Sequence, residues 1–267
     1  MLDMLKFSKK PDKVGLVLSG GGARGFAHAG ALLALEEVGI KADIIAGVSA
    51  GSVVTAMYAA GMRPEEIMTA FAGVKFGDFA ELGVPRDGFF SMDGFKKFLK
   101  KQIPYEKIED LPIPALICAT DLDNNKPVAF SEGPIVDCVA ASCSIPIVFK
   151  PVRIKGVTYV DGGVLANLPA WALRDSCKYL IGINCSPMPH RNKPKSILDI
   201  AQLTYDVLVK NNSHEQMQMC DLAISINDIA KYNVFNLKEI NRVFRSGYDT
   251  TMLALLDAGF VKPGTRK

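Results

Sequence analysis

The chain is organised around residues 44–54, which read Ile44-Ile45-Ala46-Gly47-Val48-Ser49-Ala50-Gly51-Ser52-Val53-Val54. The apolar run at 44–48 predicts a buried strand, and the Ala-rich residues that follow predict a helix. A serine in a tight strand-to-helix turn presents its hydroxyl to an open site, because only small side chains fit beside it. Ser49 is therefore a candidate nucleophile. Small residues also collect where a helix packs closely on a sheet, so the motif alone leaves both interpretations open.

A second glycine-rich turn precedes this stretch. Residues 14–18 predict a buried strand, and residues 26–38 have the apolar spacing of a helix. Between them, Gly20, Gly21 and Gly22 allow backbone N–H groups to point inward and bind negative charge. If this loop lies beside Ser49, it would hold the oxyanion of an acyl-transfer intermediate, to which each well-placed donor contributes about 3 to 4 kcal/mol. The three glycines are therefore a candidate oxyanion hole.

Composition predicts one ordinary globular domain over residues 1–267. Charged residues make up 22% and hydrophobic residues 49% of the chain, values typical of soluble domains. A net charge of +3 is too small to argue for a nucleic-acid partner. Basic residues cluster near the amino terminus, up to Lys13, and in the loop at 191–195. We interpret both clusters as solvated surface, which leaves transient contact with an anionic membrane surface open.

The cysteines and the absence of a leader indicate the compartment. Six cysteines show no metal-ligand spacing. We expect no metal and no other cofactor. With no signal peptide recognised, the pattern predicts a cytoplasmic protein that is peripheral to the membrane at most. Residues 44–62 carry no charge over 19 positions, the length of a membrane span. The glycines at 47 and 51 would break such a helix, so a buried strand and a buried helix explain the segment better.

The order of elements predicts the fold class. Strand, helix, strand and helix alternate up to about residue 60, which favours an α/β protein with three layers and a mostly parallel central sheet. Further strands are predicted at 115–120, 127–131, 157–161, 179–185 and 222–226, and further helices from Pro64 and at 134–142, 196–219 and 237–256. Asp93 and Asn167 are predicted helix caps. The region beyond 196 is expected to be mainly helical.

Residues 74–92 form an irregular segment with several glycines and four phenylalanines. Loops of this length are often functional, and this one fits a flap over an apolar channel. Aromatic side chains that pin a cover to the core explain it equally well.

A serine nucleophile needs a base. Asp161 ends a predicted strand and precedes two glycines, and carboxylates at the carboxyl ends of parallel strands face the ligand crevice. An ordinary Asp-Gly turn remains the alternative.

We expect His28 to be structural and His190 and His214 to be solvated. The order Ser49, Asp161, His214 matches a hydrolase triad, but only one strand precedes residue 44, unlike the α/β-hydrolases. The other route uses Asp161 directly, and burial would then have to raise its pKa above about 3.9.

Four segments together resemble the signature blocks of the patatin-like phospholipase family, most closely its short bacterial members. These are Gly20-Gly21-Gly22-Ala23-Arg24-Gly25, Gly47-Val48-Ser49-Ala50-Gly51, residues 141–149 and Asp161-Gly162-Gly163. The resemblance covers residues 14–170. It implies a patatin-like fold, Ser49 as nucleophile, Asp161 as base, and hydrolysis of a lipid acyl ester without a metal. It also implies that amides around Gly20, Gly21 and Gly22 form the oxyanion hole and that Arg24 steadies their loop. Ser19 stands where many members have Asp or Gly.

Three other functions remain open at this point. Gly20-x-Gly22-x-x-Gly25 fits a dinucleotide-binding loop, although no acidic residue follows the second strand where a ribose would need it. An acyltransferase would use the same acyl-enzyme and differ only in the acceptor. A non-enzymatic relative would keep the fold and act through a partner. Homo-oligomerisation cannot be inferred from the sequence.

Overall fold

The computed structural model describes residues 13–79, 81–82, 88, 90–187, 193–194 and 196–260. The amino-terminal residues 1–7, His190 and most of the two basic clusters lie outside these ranges. So does part of the 74–92 segment, for which the flap therefore stays a prediction. Within the described ranges, no helix is long and apolar enough to cross a bilayer.

The bounds of the elements follow the predicted order closely. The strands are β1 (Val14–Leu18), β2 (Ile44–Val48), β3 (Glu81–Leu82), β4 (Phe90–Ser91), β5 (Ala115–Asp121), β6 (Lys126–Phe130), β7 (Val152–Ile154), β8 (Val157–Asp161), β9 (Tyr179–Asn184) and β10 (Leu222–Ser225). The helices are α1 (Phe26–Glu37), α2 (Ala50–Ala59), α3 (Pro64–Ala70), α4 (Asp93–Gln102), α5 (Ile135–Ser142), α6 (Ala170–Leu173), α7 (Ile197–Gln218) and α8 (Ile240–Asp257).

One large sheet forms the centre of the fold, with the strand order β10-β9-β1-β2-β5-β8-β7 and with β6 also paired to β5. The strands β10, β9, β1, β2 and β5 run parallel to one another. Side chains alternate between the two faces: Leu16 and Leu18 of β1 belong to one apolar cluster, and Val17 belongs to a second. Helices cover both faces, so the predicted three-layer, mostly parallel α/β fold is confirmed.

Three local predictions were wrong. The strand β8 runs antiparallel to β5, so Asp161 does not lie at the end of a parallel strand as assumed. Asp93 is the first residue of α4 and not its cap; its N–H is satisfied by the hydroxyl of Ser91. Asn167 does not cap α6, which begins after Pro169, because the Asn167 side chain instead donates to Ser213.

Helices α1 and α8 lie with their backbones in contact. A β-carbon built on Gly30 of α1 would overlap the carbonyl oxygen of Phe244, and one built on Gly247 of α8 would overlap that of Ala27. Both glycines are therefore required by close helix packing, and α8 is fixed against the helix that follows the glycine loop.

We expect Gly30→Ala to lower the free energy of unfolding by about 1 to 3 kcal/mol, because overpacking a tight contact forces the backbones apart. Urea denaturation measures this value. Gly77→Ala is the control, since no atom lies within 4 Å of a β-carbon at Gly77. Equal stability of the two variants would contradict the close packing.

Candidate active site

Ser49 occupies a strained turn between β2 and α2. Its backbone has φ 52° and ψ −125°, a left-handed conformation that residues other than glycine adopt at an energetic cost. The residue is 6% exposed and lines a cavity. This is the geometry expected of a nucleophile elbow.

The glycine loop lies directly beside this turn. The two loops leave neighbouring parallel strands at their carboxyl ends, where Leu18 of β1 pairs with Gly47 of β2. A β-carbon on Gly20 would lie only 3.1 Å from the β-carbon of Ser49. The structure thus brings together two glycine-rich turns whose proximity could only be assumed from the sequence.

The backbone amides of the glycine loop that are free to bind an oxyanion differ from the predicted set of Gly20, Gly21 and Gly22. The N–H of Gly20 donates to the carbonyl oxygen of Asn167 at 3.1 Å, so Gly20 supports the loop and has no free amide for an oxyanion. Among the described residues, the amides of Gly21 and Gly22 have no acceptor. The candidate oxyanion hole is therefore reduced to these two amides. Asn167 was not recognised as part of the site, because its contact with the loop depends on tertiary structure.

Arg24 ties the glycine loop to a distant part of the chain. Its guanidinium donates to the carbonyl oxygens of Tyr232 at 2.9 Å, Pro187 at 3.1 Å and Ala230 at 3.1 Å. The residue is 4% exposed. A buried guanidinium with three acceptors restrains its loop; the supporting role that the family resemblance implies for Arg24 stays a prediction.

Asp161 is fully buried next to Ser49. Burial raises the pKa of its carboxyl to about 6, while the neighbouring Ser49 hydroxyl, the N–H of Gly163 and the Tyr205 hydroxyl oppose that rise. The Gly163 N–H donates to Oδ1 at 2.8 Å, whereas Oδ2 completes no well-aligned hydrogen bond among the described residues. The Ser49 hydroxyl is thus near the carboxylate but not yet aligned with it. Catalytic hydrogen bonds are often loose before substrate binds.

The segment 141–149 holds both of these residues in place. The hydroxyl of Ser142 accepts the Ser49 N–H at 2.8 Å and donates to the carbonyl oxygen of Cys118 at 2.6 Å. The carbonyl oxygen of Ser144 accepts the Asp161 N–H at 2.9 Å. This segment was recognised only as a signature block, and the structure shows its physical contribution.

The two described histidines do not line the cavity around Ser49. His28 is buried, its Nε2 lies 2.8 Å from the carbonyl oxygen of Ser19, and burial lowers its pKa to about 4. It is therefore an uncharged structural residue, as predicted. His214 is exposed and lies beside Gln218 on the surface of α7. The structure does not bring it to Ser49.

Helix α7 contributes side chains that sequence reasoning missed. Asn212 donates to the carbonyl oxygen of Gly163 at 2.8 Å and accepts the N–H of Asn167 at 2.9 Å. Ser213 accepts from the Asn167 side chain at 3.2 Å, and Tyr205 lines the cavity. Positions 205, 209, 212 and 213 share one helix face, a periodicity that could have identified them.

The cavity at Ser49 is mainly apolar. Its walls include Phe26, Val53, Val54, Phe71, Phe79 and Phe95. Phe79, from the 74–92 segment, packs on Phe71 and Phe95. Among the described lining residues Arg24 is the only Lys or Arg, and its guanidinium is already bound to three carbonyl oxygens. No group of three or more His, Cys, Asp or Glu in the described ranges is arranged to hold a metal ion. Apolar walls with few polar groups suit an acyl chain.

The fold and site define an α/β protein with a serine in a strained strand-to-helix turn, a glycine loop and a buried carboxylate. A sequence model of patatin-like phospholipases matches residues 16–174, more than half of the chain. The chain therefore belongs to the patatin-like phospholipase family.

Individual relatives agree with this assignment. The uncharacterized protein YqhO of Bacillus subtilis is 30% identical over 221 residues, which cover 70% of this chain and 76% of YqhO. Lysophospholipase nte1 of Aspergillus fumigatus is 34% identical over 164 residues, which cover 58% of this chain but only 11% of that protein. The crystal structure of VipD from Legionella pneumophila has a TM-score of 0.52 at 16% identity and covers 93% of this chain and 67% of VipD. At that identity the similarity concerns the fold alone.

The raised pKa of Asp161 has a consequence for stability. The folded state holds this proton up to about pH 6, whereas the unfolded chain releases it near 3.8. As pH rises from 4 to 6, ionisation of Asp161 therefore destabilises the folded state, by about 3 kcal/mol once complete, since one pKa unit is worth about 1.4 kcal/mol. We expect Asp161→Asn, which keeps the acceptor for Gly163, to be more stable than the wild type at pH 8.

Urea denaturation of both proteins at pH 4, 6 and 8 measures this effect. The advantage of the variant should vanish at pH 4. A constant difference at all three pH values would mean that Asp161 has an ordinary pKa.

Proposed function

We propose that this protein is a serine lipid acyl hydrolase in which Asp161 takes the proton of Ser49 directly. The observation that carries the proposal is the placement of a fully buried carboxylate beside the strained Ser49. Membership of the patatin-like phospholipase family and similarity to a lysophospholipase support lipid hydrolysis in general. The assignment of the two residues rests on the geometry.

The chemistry proceeds in two halves. The Ser49 oxygen attacks the ester carbonyl carbon while its proton moves to Asp161, and the oxyanion accepts hydrogen bonds from the amides of Gly21 and Gly22. The intermediate then collapses: the ester C–O bond breaks, and protonated Asp161 returns the proton to the leaving alcohol. In the second half a water molecule gives a proton to Asp161 and attacks the acyl-enzyme. The bond between the acyl carbon and the Ser49 oxygen breaks, the fatty acid leaves, and protonated Asp161 returns the proton to Ser49.

A raised pKa makes Asp161 a suitable base. A carboxylate with a pKa near 4 would accept a serine proton poorly, whereas one with a pKa of about 6 is a stronger base that is still ionised at neutral pH. Because only the ionised form accepts the proton, activity should rise with pH through about 6 and then level off.

The cavity supports a substrate with an acyl chain. Its apolar walls, including Phe26, Phe71 and Phe95, would bury the chain while the ester reaches Ser49. We also propose transient contact with a lipid surface, supported by the exposed apolar residues Ile197 and Ile200 on α7, which are 83% and 55% exposed. The catalytic region and the C-terminal helices would act as one domain, since α7 contributes to the site.

We expect Ser49→Ala to abolish hydrolysis of p-nitrophenyl esters while leaving the circular dichroism spectrum unchanged, because the nucleophile is lost but the fold is not. A fluorophosphonate probe should label the wild type at Ser49, as mapped by peptide mass spectrometry. Ser52→Ala is the matched control, since Ser52 lies one helical turn further on with its hydroxyl bonded to the Ser49 carbonyl oxygen. Retained hydrolysis in Ser49→Ala would disprove the proposal.

The base is tested by a separate pair of variants. Asp161→Asn should lose at least about 10²-fold in kcat, the scale of general-base catalysis, whereas His214→Ala should be nearly normal. Steady-state kinetics on the same ester measure both. The reverse pattern would favour a histidine-based triad over the Ser49–Asp161 dyad.

A further inference from the structure

One face of α7 is fixed against the turn that carries Asp161. Asn212 binds the carbonyl oxygen of Gly163, and Ser213 binds the side chain of Asn167. These contacts set both the rotation and the height of the helix relative to the turn. Tyr205 lies on the same face two turns earlier and is thereby directed into the cavity, where it is a lining residue.

The Tyr205 hydroxyl lies against the turn itself. A β-carbon on Gly163 would overlap the Tyr205 hydroxyl oxygen and would lie 3.1 Å from Oδ1 of Asp161. The phenol oxygen and the carboxylate therefore flank the same α-carbon. This approach requires glycine at position 163, which gives the second glycine of Asp161-Gly162-Gly163 a physical role.

We propose that Tyr205 is a positioning residue for Asp161, its hydroxyl donating to the carboxylate so that this group remains ionised and directed at Ser49. The inference rests on the proposed function, in which Asp161 is the base. Nothing in the sequence motifs assigns a role to α7. The Oδ2 atom of Asp161, which completes no aligned hydrogen bond among the described residues, has lone pairs for both the Tyr205 and the Ser49 hydroxyls.

The electrostatics agree with this geometry. Burial raises the pKa of Asp161, and Tyr205 is one of the three groups that oppose the rise. Burial and then the charge of Asp161 raise the pKa of Tyr205 well above its usual value. The phenol therefore keeps its proton throughout the working range and is always a donor. A donor to a carboxylate favours the charged form.

Without the Tyr205 hydroxyl, one of the groups that oppose the effect of burial on the pKa of Asp161 is lost. The pKa of Asp161 would then rise further, and a larger fraction of the protein would hold a protonated, inactive base at neutral pH. The loss of activity should disappear at high pH, where the Asp161 carboxylate is ionised with or without the Tyr205 hydroxyl. A purely structural tyrosine would lower activity equally at every pH.

The test compares Tyr205→Phe with the wild type in the pH dependence of kcat/KM on a p-nitrophenyl ester. A hydrogen bond to a charged group corresponds to about one pKa unit or more, so the acid limb should move up by about one unit. Activity below the limb should fall about tenfold, with recovery to near the wild-type value at pH 9. Tyr58→Phe is the control, because Tyr58 lies away from the cavity, is buried and donates to a carboxylate, Glu36, at 2.8 Å. It should not move the limb.

A second measurement needs no substrate. The pH at which the destabilisation caused by ionised Asp161 reaches its full size is obtained by comparing Tyr205→Phe with Tyr205→Phe/Asp161→Asn in urea denaturation. This pH should be about one unit higher than in the corresponding wild-type pair. An unchanged pH in this comparison would overturn the role of Tyr205. Loss of the proposed function would show itself differently, as esterase activity that survives Ser49→Ala.

Discussion

The site depends on keeping a carboxylate out of water without neutralising it. Asp161 is fully buried, and burial raises its pKa because it disfavours the charged form. Three neighbouring groups oppose this rise of the pKa: the Ser49 hydroxyl, the Gly163 N–H and the Tyr205 hydroxyl. The balance between desolvation and these donors gives a carboxyl with a pKa of about 6, the property that the proposed role as base requires. Each donor comes from a different element, so the pKa of Asp161 depends on the tertiary structure.

Topology explains how these elements meet. The turns that follow the adjacent parallel strands β1 and β2 lie at the same edge of the sheet, and the glycine loop is therefore beside Ser49. The strand β8 arrives from the opposite direction, antiparallel to β5, and pairs Asp161 with Ala119 in register. Because β5 also pairs with β2 up to Cys118, the end of β8 lies next to the end of β2. A single strand, β5, therefore sets the separation between Ser49 and Asp161.

The sequence predicted what is encoded locally. The buried strands and the Ser49 turn follow from short apolar runs that end in glycines, and these elements lie where they were expected. The direction of β8 could not be predicted, because strand orientation depends on pairing between residues that are about forty positions apart. The hydrogen bond from the Gly20 amide to the carbonyl oxygen of Asn167 could not be predicted either. Tyr205 and Asn212 carry no local motif; their helix periodicity was visible, but the surface that this helix face would contact was not.

The features on which the proposed function depends oppose stability. The left-handed backbone of Ser49, the ionised buried Asp161 and the crowded contact at Gly163 each carry an energetic cost. The structure offsets these costs with rigid supports: Arg24 bound to three carbonyl oxygens, Ser142 linking Ser49 to β5, and α7 fastened to the Asp161 turn. These hydrogen bonds keep Ser49 and Asp161 in place because the side chains that form them are themselves held rigidly. It follows that a weakened support should alter the proton affinity of Asp161 before it unfolds the protein, since a small increase in water access or loss of a donor shifts that affinity directly.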